Sequence, residues 1–128
     1  MSEKIKYEME FPIQASEKLL FQYISSPSGL SEWFADNVNL RGDKFVFVWD
    51  DSEESAKLVS KKNGERVKFK WLEDEEDEYY FEMRLLVDEI TKDVSLIVVD
   101  FAEEDDMEEA KMIWENQVNA LKHIIGSV

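Results

Sequence analysis

From Ile5 to Phe101 most apolar residues recur at every second position, and from Met107 to Ile125 the spacing changes to three and four. A chain divided in this way has to bury one face of an antiparallel sheet and one stripe of a terminal helix, and the simplest solution packs the two against each other. Residues 4–11 set the pattern. Ile5, Tyr7, Met9 and Phe11 alternate with Lys4, Lys6, Glu8 and Glu10, the signature of a half-buried strand, and Pro12 is expected to end it. Ser16 is the expected cap of a helix carrying Leu19, Leu20, Tyr23 and Ile24, with Glu17 in its first turn. Ser25-Ser26-Pro27 stops that helix, because a proline pushes its predecessor out of the α region. Ser28 is then expected to cap a short second helix bearing Leu30, Trp33 and Phe34.

The middle of the chain reads as strand after strand. Residues 37–41 form a short one, followed by a turn at Gly42-Asp43. Phe45, Phe47 and Trp49 share one face of the next, with Val46 and Val48 opposite. Asn63-Gly64 predicts a two-residue type I′ turn joining strands 54–61 and 65–72. That register pairs Leu58 with Phe69 and Ala56 with Trp71 inside, and Lys57 with Lys70 and Lys61 with Arg66 outside. Like charges facing each other cost a few tenths to about 1 kcal/mol per pair, which places this outer face in water. The strand at 78–88 puts Tyr79, Phe81, Met83, Leu85 and Val87 on one side and sets Glu82 across from Lys68. The strand at 93–101 is apolar on both faces and so belongs in a central position. Met107, Ala110, Trp114, Val118, Leu121 and Ile125 then form a helical stripe, widened by Ile113 and Ile124, capped by Asp105 or Asp106 and closed by Gly126. The expected fold is α+β: a curved antiparallel sheet of six to seven strands gripping a long C-terminal helix, with two short helices between the first two strands. Residues 1–128 read as a single domain.

Composition narrows the chemistry. At this length roughly two-thirds of the unfolded surface can be buried, so a core forms without staples. The absence of cysteine excludes disulfides, thiolate zinc sites and cysteine nucleophiles, and fits a cytoplasmic location. The opening MSEKIKYEME is charged throughout, unlike a secretory leader. No apolar run reaches the length of a membrane span. A net charge of −15 disfavours nucleic acid and anionic lipid surfaces. The charge is segregated: Lys57, Lys61, Lys62, Arg66, Lys68 and Lys70 cluster between acidic runs at 50–54, 73–78 and 103–106. Those runs read as solvated turns or as a docking surface for a basic partner, and none has the spacing of a calcium loop. His123, the lone histidine, falls off the helical stripe and reads as a surface residue, with no metal-ligand spacing around it. There is no nucleophile elbow or glycine-rich phosphate loop. No catalytic residue, metal or cofactor is expected.

The segment Ser26-Pro27-Ser28-Gly29-Leu30-Ser31-Glu32-Trp33-Phe34 resembles the x-P-x-x-L-x-x-W-F segment of one branch of the START-like helix-grip superfamily, which includes the birch-pollen-allergen fold. That branch is named for homologues of the heat-shock ATPase activator, and Trp114-Glu115-Asn116-Gln117-Val118 with Leu121 is similar to its last helix. The element order of nearly the whole chain matches. The resemblance implies a cavity between sheet and long helix that often holds an apolar ligand. Relatives include cyclases or hydratases, carriers of lipids or hormones, and proteins that dock on a chaperone.

The residues expected to line such a cavity are Tyr7, Trp33, Phe34, Phe45, Phe47, Trp49, Leu58, Phe69, Trp71, Tyr79, Phe81, Met83, Trp114, Val118 and Leu121. The aromatic members either frame a pocket or fill the grip. Among polar groups, Tyr7, Tyr79, Ser60 and Asn37 reach inward by strand parity, whereas Gln117 is expected in solvent. The expected function is non-enzymatic binding of a small apolar or lipid-like ligand. The alternatives are a co-chaperone-like interaction module, or a homodimer, using the segregated charges, and a cyclase-like enzyme using tyrosine or glutamate.

Overall fold

The computed structural model describes residues 3–50, 52–73 and 79–126. The acidic positions 51 and 74–78 lie outside the described residues, among them the first residue of the strand expected from 78. The described chain runs β1 (Lys4–Ile13), α1 (Glu17–Ser25), α2 (Pro27–Trp33), β2 (Asn37–Arg41), β3 (Lys44–Trp49), β4 (Ser52–Lys62), β5 (Arg66–Trp71), β6 (Phe81–Val87), β7 (Val94–Glu103), a single 3₁₀ turn (Glu104–Asp106) and α3 (Met107–Ile125). The strands form one seven-stranded sheet in the order β1-β7-β6-β5-β4-β3-β2, with every neighbouring pair antiparallel. The expected α+β grip is the observed fold. The buried core includes Phe47, Phe69, Phe81, Met83 and Leu96 from the sheet and Trp114, Val118 and Leu121 from α3.

Several local expectations are corrected. Pro12 does not end β1; it sits in the ladder opposite Ser95. β1 is an edge strand paired only with β7, so a residue without an N–H is tolerated there. α2 is capped by Ser26 rather than Ser28: the Ser26 Oγ accepts from the Gly29 N–H at 3.0 Å. Pro27 occupies the first helical position, where its missing N–H costs nothing, and this draws the cap one residue ahead of it. Asp106 precedes α3 without a side-chain capping bond, because the 3₁₀ turn leads the chain into the helix. Gly126 closes α3 in the left-handed conformation, as expected. The stripe of α3 is narrower than its sequence suggests, since Ile113 and Ile124 are exposed.

The β4–β5 hairpin differs most. Its loop holds Asn63, Gly64 and Glu65, and the Glu65 N–H bonds the Lys62 carbonyl at 2.9 Å. Among the described residues Lys92 is the only non-glycine with positive φ, so Asn63 lacks the geometry of a type I′ turn, while Gly64 has φ of 80°. The expected pairs Ala56–Trp71, Lys57–Lys70 and Leu58–Phe69 form, but the register then shifts between Leu58 and Ser60. Beyond this bulge Lys61 faces Val67 and Lys62 faces Arg66.

On the outer face, Val99 of β7 lies between Glu8 and Glu82, and Ile97 lies between Glu10 and Arg84. Both apolar side chains are nevertheless buried. Arg84 reaches across β7 to Glu8 at 3.8 Å and bonds Glu82 at 3.9 Å, while Arg66 approaches Glu82 at 4.0 Å. The aliphatic stems of these charged residues cover the apolar surface beneath them. Glu82 faces Lys68 in the ladder, as the sequence suggests.

The turn between α1 and α2 is tight. A Cβ on Gly29 would meet the Gln22 carbonyl oxygen and come within 2.7 Å of the Tyr23 Cα, both of them backbone atoms that cannot swing aside. Gly29→Ala is therefore expected to destabilise the fold by about 3 kcal/mol, through forced separation of the two helices. Urea denaturation of the two proteins measures this, and an unchanged midpoint would contradict the close approach.

Candidate functional site

The interior of the grip is built around Phe34. This residue ends α2, and its N–H bonds the Leu30 carbonyl at 2.8 Å. Its ring lies 5.2 Å from Phe47, 5.7 Å from Phe81 and 5.5 Å from Trp114, centroid to centroid. Phe81 in turn stacks on Phe69 at 5.1 Å and on Trp71 at 5.0 Å. These are contact separations for aromatic rings, so the rings fill one another's space. The Phe34 carbonyl accepts two bonds, from the Trp49 Nε1 at 3.1 Å and from the Gln117 Nε2 at 2.8 Å. Gln117 is thus half-buried and bonded across to α2, not solvated as expected.

Of the residues expected to line a cavity, Tyr7, Trp33, Phe34, Phe45, Phe47, Phe69, Phe81, Met83, Trp114, Val118 and Leu121 are buried in the core, with Trp49, Leu58 and Trp71 half-buried against it. Tyr79 lies elsewhere. The ladder of β6 begins only at Phe81, so strand parity does not extend back to it. Its ring packs against the outward-facing Phe101 at 5.3 Å, and its hydroxyl accepts from the Lys4 N–H at 3.1 Å. Ser60 faces Lys68 on the outer side because of the bulge. Asn37 is exposed, and its Oδ1 accepts from the Val38 N–H at 3.0 Å.

Asp100 is the inward polar group that the sequence reading missed. Continuing the β7 alternation from Leu96 and Val98 would have placed it inside. Its carboxylate accepts from the Trp114 Nε1 at 2.9 Å, from the Tyr7 hydroxyl at 3.4 Å and from the Phe101 N–H at 2.8 Å. Burial pushes the Asp100 carboxyl above its ordinary value, against the opposing effect of these donors and of Lys4. Burial and the neighbouring Asp100 charge push the Tyr7 hydroxyl up as well. The cluster ties β1, β7 and α3 together.

Open space lies beside the α1–α2 junction. A groove of about 420 Å³ is lined by Leu40, Phe45 and Leu58 from the sheet, by Ser25, Ser26 and Pro27 at the α1–α2 junction, and by Gly42, Asp43 and Lys61. Phe45 and Leu58 are the expected lining residues found there. The groove is mainly apolar, whereas those beside α1 and α2 (470 Å³, with Gln22, Ser28 and Glu32) and at Pro12–Ala15 (390 Å³) carry more polar walls. Leu40 is half exposed at its rim. Among the described residues no group of three side chains is placed to hold a metal ion, and no helix is long and apolar enough to cross a membrane. His123 is exposed in the last turn of α3.

A second feature lies on the outer face. Arg41 faces Lys44, Lys44 faces Lys57, and Lys57 faces Lys70, so four cations stand in one row across β2, β3, β4 and β5. With strands about 4.8 Å apart the row spans roughly 14 Å. The sequence window of clustered lysines contains only half of it; Arg41 and Lys44 join through strand pairing. Asp43 at 3.7 Å from Lys57 partly offsets the charge.

A curved antiparallel sheet holding a C-terminal helix, with two short helices closing one end, defines a helix-grip protein. The family model for the START-like superfamily domain matches residues 1–127, and the chain belongs to that superfamily. Among solved structures it is similar to a Bacteroides fragilis protein determined in solution, at 31% identity and a TM-score of 0.68, covering 98% of this chain and 93% of the other. It also resembles the Aha1 dimer from Colwellia psychrerythraea (15% identity, TM-score 0.78, covering 92% and 93%) and a conserved Enterococcus faecalis protein (18%, TM-score 0.72, covering 95% and 71%). These last two likenesses establish the fold. No curated protein matches the chain.

Removing the Asp100 carboxylate tests the buried tie. Asp100→Ala strands the Trp114 indole N–H and is expected to cost about 2–3 kcal/mol of stability. Asp100→Asn keeps an acceptor and should cost less. Because the folded-state pKa is raised, the stability that Asp100 contributes is greatest below its ordinary value of 3.8 and is lost as pH rises through the folded value. The stability of Asp100→Asn relative to the natural protein should therefore improve as pH rises from about 4 and level off once Asp100 is ionised. Urea titrations across that range measure it, and a pH-independent difference would argue against a raised value.

Proposed function

We propose that this protein binds a small apolar molecule in the groove between the α1–α2 junction and strands β2 to β4, without chemical turnover. The observation that carries the reading is the groove itself: about 420 Å³ of space with Leu40, Phe45, Leu58 and Pro27 in its walls. This volume falls within the range of small-molecule sites, which are mostly apolar with a few polar groups. The filled aromatic interior shifts the proposed site from the centre of the grip to the groove beside the α1–α2 junction. Phe45 and Leu58 are the proposed contacts within the set of lining residues expected from the sequence. Tyr7 and Tyr79, the hydroxyls on which a cyclase-like reading rests, are engaged away from this groove. Membership of a superfamily whose members are expected to hold apolar ligands or to dock on proteins supports the reading.

The cation row favours a second reading, in which the outer face of β2 to β5 docks an acidic segment of another protein. Four directly paired like charges disfavour the sheet, and they stand against the sign of a chain with net charge −15. An acidic partner would add favourable pairings along this row, weakened as salt rises.

The first reading is tested with a neutral fluorescent probe, N-phenyl-1-naphthylamine. Saturable binding to the natural protein is expected, weakened about tenfold by Leu40→Asp, which places a charge on the half-exposed rim without disturbing the core. Absence of saturable binding would remove the groove from consideration. For the second, an acidic peptide is expected to bind at low salt, to be released as salt rises, and to be lost in the Lys44→Glu, Lys57→Glu double variant. Equal binding by that variant would exclude the row.

A further inference from the structure

The bulge in β4 bears on which molecule the groove takes. Ala56 and Leu58 face the concave side, so a regular strand would turn Ser60 inward and Lys61 outward beside Lys57. The register shift reverses this. Ser60 comes to face Lys68 on the outer side, and Lys61 comes to face Val67, whose side chain is fully buried. Lys61 is thereby aimed at the helices, with its Nζ 5.9 Å from the centre of the Phe21 ring of α1, and it lines the apolar groove beside Leu58 and Phe45. Re-aiming a side chain is a recurrent use of a bulge.

The other polar groups of the groove are already engaged. The Ser25 hydroxyl donates to the Phe21 carbonyl at 2.6 Å and the Ser26 hydroxyl to the Gln22 carbonyl at 2.7 Å. Asp43 pairs with Lys57 at 3.7 Å, and Lys62 pairs with Glu65 at 2.7 Å. The ion pairs among the described residues do not include Lys61. An ammonium held at the lip of an apolar groove complements a ligand with an apolar tail and an anionic head.

We infer that the groove binds an amphipathic anion of the alkyl carboxylate type, with Lys61 pairing the head and Leu40, Phe45 and Leu58 covering the tail. This rests on the groove being a ligand site, as proposed above. The row of Arg41, Lys44, Lys57 and Lys70 stands on the outer face of the sheet, whereas Lys61 is the one cation among the described residues in the lining of the groove itself.

Calorimetric titration with decanoate and decanol, at fixed ionic strength and neutral pH, tests it. The natural protein is expected to prefer decanoate about fivefold, the upper range for an exposed ion pair. Lys61→Met keeps most of the stem and removes the charge, and should abolish the preference, read as the ratio of decanoate to decanol affinity within each protein. Lys61→Arg should retain the preference. If decanol binds as well as decanoate, or Lys61→Met keeps the preference, the groove stands as an apolar site and the role of Lys61 is overturned. If neither compound binds the natural protein, the groove reading and this inference fall together.

Discussion

One residue joins the three parts of this fold. Phe34 presses its ring between the sheet and α3, and its carbonyl takes hydrogen bonds from Trp49 on β3 and Gln117 on α3. The last carbonyl of a short helix would otherwise be left to water or to no one. Here it becomes the point through which α2 holds both the sheet and the long helix in place. Because the aromatic side chains around it are in mutual contact, the grip is sealed at this end, and whatever space the protein offers a ligand has to be found further along the sheet.

The second constraint is polar. Asp100 accepts from the Trp114 indole N–H inside the core, and only one height of α3 along the sheet permits that bond. Sliding the helix by one turn would present Ala110 or Val118 to the carboxylate, and neither side chain can donate. Apolar stripes slide past one another at little cost, whereas an unsatisfied buried carboxylate does not. Asp100 therefore supplies the positional definition that the aliphatic contacts of α3 lack.

Much of this was legible in the residues. The strands from β1 to β7, the two short helices and α3 follow from hydrophobic period and from stop signals, and the family resemblance rests on the same pattern. What the period could not show lies where the pattern is interrupted. A bulge adds one residue without any local signature between Leu58 and Ser60, and so parity counted through it assigned Ser60 and Lys61 to the wrong faces. Tyr79 precedes its ladder and escapes parity altogether. Pro12 has the local look of a terminator, because its edge position depends on strand order, which is not a local property. Asp100 was readable from alternation alone but was overshadowed by the apolar residues on either side. The cation row depends on which strands pair, and Arg41 and Lys44 enter it only through that pairing.

The charged cover over Ile97 and Val99 carries a consequence for solution behaviour. Glu8, Arg84 and Glu82 form a thin ionic roof, one side chain deep, above an apolar strip of the sheet. The same acids that hold this roof also contribute to the mutual repulsion that keeps molecules apart. Salt weakens both protections together: it screens the ion pairs of the roof and the repulsion between molecules alike.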